Sequence, residues 1–185
     1  YHPFDGDGML HSLYIDNGEA EYHNRFVRSD GFEAELIQNG PLWAGLMESP
    51  RKSLRDGWGA RTRLKDASST DVVVHGGVAA SSFYQCGDIY ELNPRTLEPL
   101  GKAEWVKGIT QGWGVSAHTK VDQATGEMLF FNYSKDAPYM HYGVVDKDRN
   151  LAHYIPIELP GPRLPHDMAF TENYAILNDF PLFWA

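Results

Sequence analysis

Short segments in which apolar and polar residues alternate with a period of two dominate the chain, which is the pattern of β-strands with one buried face. The segments Met9–Ile15 and Ala20–Val27 flank the tripeptide Asp16-Asn17-Gly18. Asn and Gly tolerate the positive φ of a tight turn, so this pair predicts a β-hairpin. Further strands are predicted at 71–75, 78–85 and 89–92.

The alternation is lost between residues 30 and 64. Pro41, Pro50 and scattered glycines in this region favour a long connection. Leu36–Met47 is the segment whose pattern is compatible with a helix. The sequence therefore predicts one helix at most between two groups of strands.

A regular unit of strands and turns occupies the second half of the chain. Strands are predicted at 115–121, 128–133, 139–146 and 151–159, and polar turns separate them. Pro160-Gly161-Pro162 then interrupts the pattern, and a new hairpin starts at Pro165. Four antiparallel strands in roughly 45 residues, followed by a restart, is the spacing of a propeller blade. We therefore predict an all-β fold that forms part of a β-propeller.

Composition and charge narrow the classes of partner. Lys and Arg total 16 against 25 Asp and Glu, which gives a formal net charge of −9. A chain without a basic stripe is poorly suited to bind phosphates, so no nucleic-acid partner is expected. The single Cys86 excludes an internal disulfide and a cysteine-based metal site within this sequence. One cysteine also indicates a reducing setting, and we expect a cytoplasmic location.

Both ends of the sequence differ from the ends of a complete domain. The chain begins at Tyr1 without Met and closes on the apolar stretch 180–185. We therefore expect an interior fragment of a longer protein, in which residues 1–185 form one partial domain. The lack of a leader in such a fragment carries no information about targeting.

Two histidines hold equivalent places in successive units. His118 and His166 each stand at the head of a predicted strand, a few residues before a polar turn. The first strand of each propeller blade lies nearest the central axis, so two such side chains in neighbouring blades would meet there. Imidazole nitrogen is a common ligand of iron, zinc and copper. The alternative, that each imidazole is a packed side chain bonded to backbone, stays open on these residues alone.

Several longer motifs resemble one family of enzymes. The segments are His2–His11 (HPFDGDGMLH), Tyr90–Glu98 (YELNPRTLE), Ser116–Glu127 (SAHTKVDQATGE) and Pro165–Tyr174 (PHDMAFTENY). They are similar, in the same order, to conserved segments of the carotenoid cleavage oxygenases, a family that also contains stilbene-cleaving and isoeugenol-cleaving enzymes. The resemblance extends over nearly the whole chain.

The resemblance implies a seven-bladed propeller, of which this chain would supply about three blades. It implies a non-haem Fe(II) held by four histidines on the axis, and His118 and His166 would be the first two of them. The third and fourth ligands would come from the remaining blades, so we expect the isolated fragment to be inactive. The implied reaction uses O2 to split a conjugated carbon–carbon double bond of an apolar substrate into two carbonyl products.

The resemblance also gives roles to residues outside the ligand set. The family often has a glutamate, which orients a ligand histidine, at the position of Gln85. Phe4, Phe83 and Tyr84 are candidates for the wall of an apolar substrate tunnel. Tyr84 replaces a lysine typical of the stilbene- and isoeugenol-cleaving members, which favours a carotenoid or apocarotenoid substrate.

Two alternatives to this function stay open at this point, and one further contact is compatible with the sequence. The substrate of the parent protein could instead be a stilbene or a propenylphenol. Gln85 lacks the charge of a glutamate, so a non-catalytic binder of an apolar ligand with the same fold is a further alternative. A peripheral contact with a membrane through an apolar patch at the substrate entrance is compatible with the sequence.

Overall fold

The computed structural model describes residues 2–57, 64–110, 112–180 and 182. Its strands form antiparallel sheets only: two four-stranded sheets and two two-stranded hairpins in the described part of the chain. The all-β prediction is confirmed.

The strands follow one another along the chain in groups. The first hairpin contains β1 (Met9–Asp16) and β2 (Glu19–Phe26). One four-stranded sheet contains β3 (Asp71–His75), β4 (Val78–Ser82), β5 (Tyr90–Leu92) and β6 (Pro99–Lys102). The other contains β7 (Lys120–Val121), β8 (Met128–Tyr133), β9 (Tyr139–Val145) and β10 (Leu151–Glu158). The last hairpin contains β11 (Ala169–Phe170) and β12 (Ala175–Ile176).

Each four-stranded sheet joins strands that are consecutive in the sequence, in the order β3-β4-β5-β6 and β7-β8-β9-β10. This meander is the arrangement of a propeller blade. A bridge between Gly87 and Val115 links the two sheets, because each residue donates its backbone N–H to the other's carbonyl, at 3.1 and 2.8 Å. The two blades are therefore tied together directly before the segment that carries His118.

The core lies on both faces of β8, in which all six side chains are buried. Met128 and Phe130 pack with Trp105 on the side of the preceding sheet. Leu129, Phe131 and Tyr133 point to the other face, where they pack with residues such as Met140 and Met168. A strand covered on both faces belongs inside a stack of sheets, and this explains its continuous apolar run.

The helix differs from the prediction. The sequence favoured Leu36–Met47, whereas α1 spans Asp30–Gln38. It begins there because the Ser29 hydroxyl caps it by accepting a hydrogen bond from the N–H of Phe32 at 3.1 Å. It ends because Asn39 adopts the left-handed conformation, with φ of 55°. No helix in the described part of the chain is long and apolar enough to cross a membrane.

Two strands also differ from the prediction. The expected strand 115–121 is reduced to the two residues of β7, because the backbone of His118 turns to a φ of 62°. The strand β6 was not predicted, since Pro99 and Gly101 are weak strand formers. Short 3-10 helices at Pro3–Asp5, Pro50–Lys52 and Glu104–Gly108 complete the described secondary structure.

A substitution at a glycine in β9 tests the packing of side chains on β8. Gly143 is paired with Phe130, and a Cβ added to it would lie 2.3 Å from the Cζ of that fully buried ring. We expect Gly143→Ala in the intact protein to lower the free energy of unfolding by about 1–3 kcal/mol, because the ring has to shift within a filled core. Thermal melting would measure the change.

Gly40→Ala is the matched control, because an added Cβ at this position meets nothing within 4 Å. Its effect should stay below about 0.5 kcal/mol. Equal melting temperatures for the Gly143→Ala variant and the wild type would contradict the packing described here.

Candidate metal centre

The structure brings the two histidines singled out in the sequence into contact. Nε2 of His118 lies 3.2 Å from Nε2 of His166, although the residues are 48 positions apart. Their ring centroids are 4.8 Å apart, and the ring planes are inclined at 75°. Two imidazole nitrogens from distant parts of the sequence thus face each other across a short distance.

The segment that carries His118 is held by its backbone. Val115 forms the bridge to Gly87 described above, and the N–H of Ser116 donates to the carbonyl of Phe131 at 3.0 Å. The close approach at the bridge requires glycine at position 114, since a Cβ there would lie 2.6 Å from the Gly87 carbonyl oxygen. His118 itself has a φ of 62°, in the left-handed region that non-glycine residues seldom adopt.

An ion pair joins the two histidine segments. Nζ of Lys120 lies 2.7 Å from Oδ1 of Asp167, the residue that follows His166. The same carboxylate oxygen accepts a hydrogen bond from the N–H of Met168, and the Asp167 carbonyl accepts one from the side-chain amide of Asn178 at 2.9 Å. Lys120 and Asp167 therefore form a second contact between the two histidine segments.

A carboxylate not singled out in the sequence contacts the first histidine. Oδ2 of Asp71 lies 2.9 Å from Nδ1 of His118. Asp71 is the first residue of β3, which belongs to the preceding sheet. The prediction of a strand at 71–75 located this residue correctly, but its partner is 47 positions away, and a single sequence carries no signal for such a contact.

The surroundings of His166 favour its neutral form. Partial burial, followed by the proximity of His118, lowers the pKa of His166. The ring is therefore neutral at neutral pH, and a neutral imidazole has a lone pair available for coordination. The ring also makes an edge contact with Tyr84, at 6.5 Å between centroids.

Gln85 and Tyr84 lie on the loop after β4. Gln85 is buried, with 4% of its surface exposed, and its Oε1 has no hydrogen-bond partner in the part of the chain that the structure describes. The Tyr84 carbonyl accepts hydrogen bonds from the hydroxyls of Tyr133 at 2.6 Å and Ser116 at 3.5 Å. These two hydrogen bonds fix the loop to β8 and to the segment that precedes His118.

The three tunnel candidates line one cleft of about 670 Å³. Phe83 is buried, whereas Phe4 is 65% exposed at the rim. The wall is not purely apolar, because Lys65 in the same cleft pairs with Asp7 and Glu35, each at 2.7 Å. The structure thus gathers the candidates around a cleft that combines aromatic and charged surface.

A buried aspartate anchors the end of that loop. Asp66 is 1% exposed, and its two oxygens accept hydrogen bonds from the N–H groups of Ser68 and Asp88, at 3.0 and 2.9 Å. Gly87 packs against this carboxylate so closely that a Cβ there would lie 2.2 Å from Oδ2. Burial raises the pKa of Asp66 to about 7, although both hydrogen bonds oppose the shift.

No group of three or more His, Cys, Asp or Glu side chains among residues 2–57, 64–110, 112–180 and 182 is arranged to hold a metal ion. The described chain therefore offers two imidazoles and a supporting carboxylate. A complete coordination sphere needs further ligands.

Comparison with known proteins identifies the family. The family model described as "Retinal pigment epithelial membrane protein" matches residues 1–185. The chain belongs to this family, the carotenoid cleavage oxygenases. The resemblance found in the motifs is thereby confirmed.

The chain is similar to curated relatives whose names give different substrates. It is 36% identical to carotenoid 9,10(9',10')-cleavage dioxygenase 1 of Pisum sativum, with all of the chain and 36% of the relative covered. It is 30% identical to isoeugenol monooxygenase of Pseudomonas nitroreducens, with 98% of the chain and 37% of the relative covered. The chain thus spans about a third of the length of these curated relatives.

Solved structures of the family have the same fold. Lignostilbene dioxygenase of Pseudomonas brassicacearum superimposes with a TM-score of 0.76 at 26% identity, over 94% of this chain and 35% of that one. Cobalt-substituted apocarotenoid oxygenase of Synechocystis gives a TM-score of 0.75 at 25% identity, over 95% of this chain and 38% of that one. The family's seven-bladed propeller is therefore the fold to which these sheets belong.

Asp66 generates a prediction about pH. Its pKa in the fold exceeds that of an unfolded chain, so the folded state holds an extra proton between about pH 4 and 7. The contribution of Asp66 to stability is therefore complete below about pH 4, and it is lost as the pH rises through 7. In thermal melts of the intact protein, the stability difference between the wild type and Asp66→Asn should decrease from pH 5 to pH 8. A difference that stays constant or grows over this range would contradict the assignment.

Proposed function

We propose that the intact protein is a non-haem Fe(II) oxygenase that uses O2 to cleave a conjugated carbon–carbon double bond of a carotenoid or apocarotenoid. The products would be two carbonyl compounds. His118 and His166 would be two of the iron ligands. The observation that carries the proposal is the convergence of their Nε2 atoms at 3.2 Å.

The donor set fits a metal ion. Metal–imidazole nitrogen distances are about 2.0–2.1 Å, so two ligands at angles between 90° and 109° are about 2.8–3.4 Å apart. The separation of 3.2 Å falls in this range. Nδ1 of His118 faces a carboxylate, which only accepts hydrogen bonds when ionised, so a neutral His118 would hold its proton on Nδ1 and leave the lone pair of Nε2 free.

The residues of this chain would bind and orient, while the metal supplies the redox chemistry. Iron(II), when bound, activates O2 for cleavage of the double bond. His118 and His166 are neutral donors and would leave the charge of the ion largely uncompensated. Phe83 and Tyr84 would hold the apolar part of the substrate in the cleft and exclude water there.

A carotenoid-type substrate is favoured by the pea relative and by a second one, carotenoid 9,10(9',10')-cleavage dioxygenase of Crocus sativus, at 32% identity. The isoeugenol monooxygenase relative, at 30% identity, supports a propenylphenol or stilbene as the second candidate. The two candidates are separated by assay of a β-apo-carotenal against resveratrol and isoeugenol.

The proposal extends beyond the described residues in three respects. The third and fourth ligands would come from the remaining blades of the propeller, so this chain alone would not turn over substrate. A cytoplasmic location stays a prediction that rests on the single cysteine. Contact of the cleft rim with a membrane surface stays a prediction as well.

Removal of either histidine tests the metal site. We expect His118→Ala and His166→Ala in the intact protein to lose bound iron and to reduce turnover by at least about 100-fold, because each removes a direct ligand. His153→Ala is the control, since His153 is an exposed residue of β10. Iron is measured by elemental analysis and product by chromatography. Wild-type iron content and turnover in either of the first two variants would refute the assignment.

The choice of substrate generates a second prediction. We expect kcat/KM on a β-apo-carotenal to exceed that on resveratrol and isoeugenol by at least about tenfold, because the cleft has no lysine at the position of Tyr84 to bind a phenol. The reverse order would favour the second candidate. Tight binding of the apocarotenal without iron and without cleavage would instead indicate a non-catalytic binder.

A further inference from the structure

We propose that Asp71 is a positioning residue that holds His118 in the orientation needed to bind the metal. The inference rests on the proposed function, since it requires that His118 be a metal ligand. It assigns a role in that function to a carboxylate on β3, which belongs to the sheet that precedes His118 in the sequence. Its basis is the 2.9 Å contact between Oδ2 of Asp71 and Nδ1 of His118.

This hydrogen bond determines which nitrogen of His118 is free. An ionised carboxylate has only acceptor atoms, so the shared proton belongs to Nδ1 of the imidazole. In the neutral ring Nε2 is then unprotonated, and this atom faces Nε2 of His166. A carboxylate that accepts from the outer nitrogen of a ligand histidine fixes the tautomer and the ring orientation, and it makes the ligand more basic.

Asp71 is itself held in place by its other atoms. Its Oδ1 accepts a hydrogen bond from the N–H of Val72 at 2.8 Å, so the two carboxylate oxygens have different partners. Its backbone is paired with Ser82 on β4, whose hydroxyl donates to the Asp71 carbonyl at 3.4 Å. The sheet therefore holds Asp71 in the position from which its carboxylate reaches His118.

His118 needs such support more than an ordinary strand residue does. Its φ of 62° is unfavourable for a residue with a side chain. Backbone strain of this kind persists where surrounding interactions hold it, and it is concentrated at functional sites. With side-chain exposures of 24% for His118 and 31% for Asp71, the pair is partly shielded from water, which strengthens the hydrogen bond.

In the part of the chain that the structure describes, no carboxylate forms a hydrogen bond with the second histidine, although the charge of the adjacent Asp167 acts on its ring. Within the described residues, Nδ1 of His166 makes no hydrogen bond, and its ring contacts Tyr84 and the ring of His118. Gln85, a neutral amide, makes no hydrogen bond to either imidazole in that part of the chain. Asp71 is therefore the acidic side chain that contacts a ligand imidazole here.

Cobalt(II) is the probe for the test, because its absorption bands report the ligand field and need no turnover. Apo forms of the intact protein would be titrated with Co²⁺ for the wild type, Asp71→Asn, Asp71→Ala, His118→Ala and Asp148→Asn. Asp71→Asn keeps the shape of the side chain but loses the charge, so it tests the role even where Asp71→Ala fails to fold. Asp148→Asn is the matched control, because Asp148 is 68% exposed in the β9–β10 turn.

We expect the Kd for Co²⁺ to rise by about 10- to 100-fold in Asp71→Ala, with a smaller rise and a shifted visible spectrum in Asp71→Asn. Asp148→Asn should match the wild type. Wild-type affinity and spectrum in Asp71→Asn, together with lost binding in His118→Ala, would overturn the role of Asp71 and leave the metal site intact. Wild-type binding in His118→Ala would overturn the proposed function itself.

Discussion

The contact between the imidazoles of His118 and His166 is the constraint on which the rest of the structure depends. Two segments 48 residues apart have to place nitrogen atoms within 3.2 Å. The fold achieves this by three links: the backbone bridge between Gly87 and Val115, the left-handed turn at His118, and the ion pair between Lys120 and Asp167. The bridge and the ion pair each join one unit of strands to the next, so the contact between the two imidazoles depends on the packing of neighbouring units.

The packing between neighbouring sheets explains the apolar composition of β8. All of β8 is buried, and its alternating residues fill the spaces on both sides of the sheet. Both histidines lie outside this buried interior, His118 partly buried and His166 exposed. A packed apolar interior thus supports the segments that carry the two histidines.

Local patterns predicted much of this architecture. Alternation and turn residues located the first hairpin and β8–β10, because their periods and turn chemistry are properties of neighbouring residues. The equivalent places of His118 and His166 also followed from spacing. The start of α1 was missed because it depends on a single cap at Ser29, and β6 because its stability comes from pairing with β5. Asp71 could not be found, since its role exists only through a distant residue.

An iron-edge anomalous diffraction map from crystals of the intact protein tests the central claim most directly. The account predicts one iron ion within about 2.0–2.3 Å of Nε2 of both His118 and His166. It further predicts that Nδ1 of His118 remains bonded to Asp71. An iron ion bound elsewhere, or one coordinated by neither or only one of these histidines, would contradict it.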